Sequence, residues 1–197
     1  MAIAVFAADN DVHWNEQGSG AIFRRSCFAH GYRHGYEEGY HLGNLDINMN
    51  RKPRAKREQF HGLPTGYLPR FGGKKSFENG FWTGLKAGYG DGYAGRNFRA
   101  VNSFRALASS INENPAPSDP HNLYFDSGFS AGYGHGLRRV AGTPASISSD
   151  TTDCAPFPIY NRSAQDSFCE GYRRGYVLGH GDGLLTGSKT PAFEARR

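Results

Sequence analysis

The chain has 197 residues, of which 27 are glycine and 14% are aromatic, and its formal net charge is +5 at pH 7. The aromatic content is unusual for a disordered chain, and no apolar run approaches the ~18 residues that a membrane span needs. The charge is well short of the dense Lys/Arg face of a dedicated nucleic-acid binder. Composition therefore favours a folded chain without a membrane span.

The N-terminal residues 1–25 are expected to be a tail or the remnant of a secretory signal. Residues 1–8 (MAIAVFAA) end in small residues suited to cleavage, but they lack a basic start and a full apolar core. The sequence also favours a short C-terminal tail over 191–197, so residues 26–190 form the predicted domain.

Four segments in this domain share one pattern, Phe-x-x-Gly followed by an aromatic residue, and begin at Phe28, Phe77, Phe125 and Phe168. In each segment glycine recurs at every fourth position, which we call the glycine column: Gly31, Gly35, Gly39, Gly43, Gly80, Gly84, Gly88, Gly92, Gly128, Gly132, Gly136, Gly171, Gly175, Gly179 and Gly183. Large side chains follow these glycines or open the segments, and form an aromatic column: Phe28, Tyr32, Tyr36, Tyr40, Phe77, Phe81, Tyr89, Tyr93, Phe125, Phe129, Tyr133, Phe168, Tyr172 and Tyr176.

A period of four residues is typical of one face of an α-helix and excludes a strand, whose faces repeat every two residues. The pattern predicts a mainly α fold with four short helices, over about 26–44, 76–96, 124–142 and 167–187. Ser26, Ser76 and Ser167 are the expected N-caps, and Ser167 with Glu170 has the form of a capping box. Long, irregular, proline-rich connections should join the helices, with a further short helix within 97–110.

Glycine inside a helix costs about 0.8–1 kcal/mol relative to alanine, so close helix packing must offset the penalty. A glycine column lets a second backbone approach closely, and we call such a contact a glycine seam. Ridges at this spacing favour a crossing near −50°. Charges such as Arg33, Glu37 and Arg174 exclude a lipid-exposed span.

The first and fourth segments are the most alike, since both contain Gly-Tyr-Arg-x-Gly-Tyr, and they are therefore expected to pair. This pairing makes Cys27–Cys169 a possible disulfide; Cys154–Cys169 and three free thiols are the alternatives.

The polar residues do not form a recognisable catalytic motif. His30, His34 and His41 share one predicted helix but lack the glutamate of a zinc-protease motif, so solvated helix-face histidines are favoured over a metal site. The sequence therefore predicts a protein that is not an enzyme and has no metal or cofactor. The basic run Arg51–Arg57 is expected to be a solvated loop, with nucleic acid as an alternative partner.

Glycine at every fourth position of a soluble helix resembles the deca-GX3 family (Yae1-type proteins). That resemblance implies a small helical adaptor that delivers iron–sulfur machinery to client proteins. The Phe-x-x-Gly-Tyr segments also resemble exported bacterial Gly/Tyr-rich repeat proteins, for which the resemblance implies no activity.

The leading functional hypothesis is a non-catalytic structural protein that assembles with itself or with other proteins, in an extracellular or envelope complex or filament. Repeated glycine faces favour association, and aromatic columns supply apolar contact area. The alternatives are a cytoplasmic adaptor and a nucleic-acid-associated protein that uses the basic run Arg51–Arg57.

Overall fold

The computed structural model describes residues 23, 26–60, 64–110, 120–138, 154 and 162–186. In this part the chain is mainly helical and contains no strand, with five α-helices: α1 (Cys27–Asn48), α2 (Lys74–Tyr93), α3 (Ala100–Ser110), α4 (Pro120–Arg138) and α5 (Arg162–Thr186). Two short 3-10 turns, Arg57–Gln59 and Pro69–Phe71, lie between α1 and α2. Most of the expected N-terminal tail and all of the C-terminal tail lie outside the described residues.

One of the three expected N-caps is confirmed. The Ser26 hydroxyl accepts a hydrogen bond of 3.1 Å from the backbone N–H three residues later. Ser76 and Ser167 lie inside helices instead, because α2 begins at Lys74 and α5 begins at Arg162. The capping-box interpretation of Ser167 is therefore wrong.

The helices that contact each other most extensively, α1 with α2 and α4 with α5, run parallel. Gly31 near the start of α1 lies against Phe77 near the start of α2, while Gly43 lies against Tyr89 towards the other end. The same register relates α4 to α5, where Gly128 lies against Phe168.

A parallel pair requires the chain to return along the full length of the first helix. The 22 residues of α1 span about 33 Å, and the described residues 49–60 and 64–73 lie between the end of α1 and the start of α2. This return segment packs Phe60, Tyr67 and Phe71 against buried α2 residues that include Phe77. The long connection is thus a structural consequence of the parallel arrangement.

The short helix α3 is the predicted helix of region 97–110, and it joins the two helix pairs. It runs opposite to α1: Phe98, just before α3, contacts the ring of Tyr40, and Phe104 contacts the ring of Tyr32. Asp126 of α4 accepts a hydrogen bond of 3.0 Å from the N–H of Val101 and so caps the start of α3. Burial raises the pKa of Asp126 well above its usual value.

Candidate functional site

The glycine column lies where paired helices approach each other most closely. A Cβ placed on Gly35 would lie 2.6 Å from the carbonyl carbon of Phe81, and one on Gly84 would lie 2.8 Å from that of Tyr32. Real Cβ atoms essentially never come within 3.0 Å of such atoms. At each of the fifteen positions, the added atom would lie at or within 3.0 Å of the partner backbone.

The close approach continues along both helices. It extends from Gly31 to Gly43 of α1, about 18 Å of helix. Helices crossing at −50° would separate over this distance, so the expected crossing angle is wrong and the axes are nearly parallel. Glycines of each helix face carbonyl groups of the other, which is the arrangement that permits Cα–H···O contacts.

The close glycine contacts join the first segment to the second and the third to the fourth. The expected pairing of the first with the fourth is therefore wrong as a glycine contact, although α1 and α5 do touch through charged side chains. The possible Cys27–Cys169 disulfide is also wrong. Cys169 is bonded to Cys154, while Cys27 is a free, buried thiol packed beside Phe77.

The aromatic column supplies most of the large side chains of the core. Tyr32, Tyr36 and Tyr40 of α1 are at most 1% exposed and pack with Phe98 and Phe129. Twelve of the fourteen residues are buried; Phe28 and Tyr93 are half-buried. The tyrosines can be buried because their hydroxyl groups find polar partners.

A buried tyrosine–aspartate pair occurs in each helix pair at equivalent positions. The Tyr36 hydroxyl donates to Asp91 of α2, and the Tyr133 hydroxyl donates to Asp182 of α5, both at 2.5 Å. Each aspartate lies three residues after the glycine that contacts the backbone of its partner tyrosine. Sequence reasoning missed these aspartates, although the shared motif Gly-x-Gly-Asp-Gly in the second and fourth segments was a signal for them.

Arginine side chains hold the first of these aspartates. Arg99 binds both carboxylate oxygens of Asp91, at 2.8 and 2.9 Å, and Arg96 lies 2.7 Å away. Burial opposes the charge of Asp91, but the hydrogen bonds from Arg99 and Tyr36 lower its pKa below the usual value. Asp91 thereby ties the loop after α2 to α1.

Four charged side chains cross the contact between α1 and α5. Arg33 binds Glu37 at 3.1 Å and Glu170 at 3.2 Å, and Glu37 also binds Arg174. Burial opposes the charge of Arg33, but the two carboxylates raise its pKa. Removing one partner of such a buried pair typically costs about 3–5 kcal/mol.

His41 extends this contact between α1 and α5. Its Nδ1 lies 3.3 Å from Asp182 of α5, and its Nε2 lies 3.3 Å from Glu38. Burial opposes the charge, but Asp182 and Glu38 raise the pKa of His41 to about 10. His41 is therefore a half-buried cation held by two carboxylates, contrary to the expected solvated histidine.

The other α1 histidines are also engaged with protein groups. His30 is 2% exposed, and its Nε2 lies 3.0 Å from the carbonyl oxygen of Gly66, while His34 packs on the backbone of Gly66. The described residues contain no group of three His, Cys, Asp or Glu side chains that would hold a metal ion. No helix among them is long and apolar enough to cross a membrane.

The outward face of α5 carries exposed apolar residues, and we call it the α5 face. Val177, Leu184 and Leu185 are 55%, 51% and 53% exposed, and their spacing places them along one side of the helix. Gly181 lies between them, and a Cβ there would meet nothing within 4 Å. The position on α2 equivalent to Val177 is Lys86, and within the described residues the exposed large hydrophobic side chains lie on α4 and α5.

Comparisons with known proteins give no match to any protein family, any curated protein or any solved structure.

Proposed function

We propose that this chain is a non-catalytic structural or assembly protein that associates through the α5 face. Its fold would be a repeat of four glycine-column helices packed in two pairs through glycine seams. The close backbone contacts at Gly35 and Gly84, and at their counterparts in α4 and α5, support this description. The proposal rests chiefly on the exposed apolar row Val177, Leu184 and Leu185.

The occupant of the α5 face that we propose is a second copy of the same chain. A contiguous exposed apolar patch is a common mark of a protein–protein contact. Gly181 lies beside these apolar side chains, and a Cβ added there would meet nothing within 4 Å. The α5 face therefore combines a glycine with large side chains, as the buried contacts within each helix pair do. Such a face is complementary to itself, as a two-fold symmetric interface requires.

The buried polar groups fit this structural role. The contact between α1 and α5 contains ion pairs of Arg33 with Glu37 and Glu170. Asp91 accepts hydrogen bonds from Tyr36 and Arg99. These groups specify how the two helix pairs dock.

Light scattering coupled to size-exclusion chromatography tests the proposal. The wild-type chain should elute as a dimer or larger species at micromolar concentration, and Val177→Glu/Leu184→Glu should shift it to a monomer. The matched control is Asn79→Glu/Thr83→Glu, which adds two carboxylates at exposed positions of α2 and should leave the assembly intact. A monomeric wild type, or equal behaviour of the two variants, would overturn the proposal.

We also propose an extracellular or envelope location. The Cys154–Cys169 disulfide supports it, because disulfides persist in oxidising compartments and are rare in the cytosol. Fractionation of the source cells should place the protein outside the cytosol. Recovery of a reduced monomer from the cytosol with one defined client would instead favour the adaptor hypothesis.

A further inference from the structure

We propose that the return segment and α2 together form a surface that binds the phosphate backbone of duplex nucleic acid. We call this surface the basic face, and its members are the exposed side chains Lys52, Lys56, Arg57, Lys75 and Lys86. The proposal does not depend on self-assembly through the α5 face.

Some side chains of the basic run hold the return segment in place, and others remain exposed to solvent. Arg54 binds both oxygens of Asp46, at 2.7 and 3.0 Å, and Arg51 lies 3.5 Å from the same carboxylate. Tyr89 of α2 accepts from the backbone N–H of Arg54 and donates to Asp46. These contacts fix the segment on α2 and leave Lys52, Lys56 and Arg57 exposed.

The exposed cations of the segment lie beside those of α2. The Arg57 guanidinium stacks over the ring of Trp82 at 3.9 Å. Lys86 lies four residues after Trp82, and Lys75 lies seven residues before it, so all three share one side of the helix. Lys75 and Lys86 are about 16 Å apart along the axis, a length over which duplex DNA presents about ten phosphates.

Acidic residues neutralise little of this surface. Asp46 is buried and already holds Arg54 and Arg51. Glu78 lies on the same side of α2 as Lys75 and Lys86, and it is 4.0 Å from Lys74. Glu58 is exposed, and it lines with Lys52 an open cleft of about 470 Å³ at the edge of the face. The net charge of the face is therefore positive.

The chemistry of the surroundings favours a duplex over the other polyanions. Within the described residues, the exposed large hydrophobic side chains lie on α4 and α5, so the basic face has none to insert into a membrane. Single strands bind mainly by stacking bases on aromatic rings, but Trp82 is only half-exposed and is covered on one side by Arg57. Five exposed cations on one helix and the segment packed against it suit a regular phosphate backbone.

Fluorescence anisotropy with a labelled 20-base-pair DNA of arbitrary sequence tests the proposal on the full chain. Five phosphate contacts predict that the logarithm of the association constant falls with the logarithm of salt concentration with a slope of about −4 to −5. Lys75→Gln/Lys86→Gln should weaken binding roughly 50-fold at 0.1 M salt and reduce the slope by about 2. A circular dichroism melt checks that this variant remains folded.

The matched control is Arg138→Gln/Arg162→Gln, which removes the same charge from exposed positions of α4 and α5 and should leave affinity and slope unchanged. Equal effects of the two variants would show that net charge alone attracts DNA, and would overturn the assignment of the face. Tighter binding to a single strand of equal phosphate number, or to vesicles containing phosphatidylserine, would overturn the choice of a duplex. A salt-independent or undetectable interaction would overturn the whole proposal.

Discussion

Two glycines of α2, only two residues apart, should respond in opposite directions to the same substitution. Gly88 lies in the contact with α1, where a Cβ would lie 2.8 Å from the carbonyl carbon of Tyr36. Gly90 is exposed, and a Cβ there would meet nothing within 4 Å. Gly88→Ala and Gly90→Ala therefore compare the same residue change on the same helix with and without the close backbone contact.

The magnitudes follow from two opposing effects. Alanine gains about 0.8–1 kcal/mol over glycine in a helix interior, and Gly90→Ala should realise most of this gain. At Gly88 the carbonyl oxygen of Tyr36 lies closer to the added Cβ than the carbon does, so the helices must separate by roughly 1.3 Å to reach ordinary contact, and overpacking of this kind costs about 1–3 kcal/mol. The separation also weakens Cα–H···O contacts at the neighbouring glycines, at about 0.5–1 kcal/mol each. We expect Gly88→Ala to be less stable than Gly90→Ala by roughly 2–4 kcal/mol.

Urea denaturation followed by circular dichroism at 222 nm measures the free energy of unfolding of both variants. The wild type should fall between them. Gly179→Ala repeats the close-contact substitution on α5, because Gly179 contacts the Tyr133 backbone. If Gly88→Ala proved as stable as Gly90→Ala, helix propensity alone would account for both, and the argument for close contact would fail.

Two further predictions concern titration and thiols. Because Asp182 holds His41 charged, the ion pair between them should contribute fully to stability below pH 6.5, and this contribution should be lost as the pH rises towards 10. The melting temperature of the wild type should therefore fall over this pH range relative to that of His41→Gln. Parallel profiles of melting temperature against pH would contradict this prediction. Thiol titration should find no reactive cysteine in the native protein and one reactive cysteine, Cys27, in denaturant without reductant. Three reactive cysteines in denaturant without reductant would contradict the Cys154–Cys169 disulfide.

The local features of the fold could be predicted from the sequence because they depend on spacing within one segment. The four-residue period places a helix over 26–44, and α1 runs from Cys27 to Asn48. The Ser26 cap and the helix within 97–110 follow from equally local patterns.

The choice of partners could not be predicted, because all four segments present the same glycine column. Partners are distinguished by polar contacts between distant residues, such as Tyr36 of α1 with Asp91 of α2, which are 55 positions apart. The histidines were misjudged for a related reason. His30 and His41 are polar residues with no local partner that the sequence reveals, and they are held by Gly66 and Asp182, which only the folded chain brings near.

The parallel arrangement also has a consequence for synthesis on the ribosome. Gly43 of α1 cannot form its contacts until the end of α2 has been synthesised, because these contacts are with Tyr89 and Tyr93, about 50 residues later in the chain. A helix with a glycine at every fourth position is too weak to persist alone, and translation proceeds at about 5–20 residues per second. The nascent α1 therefore remains unstructured, with its aromatic side chains accessible to chaperones, for several seconds before its partner leaves the exit tunnel.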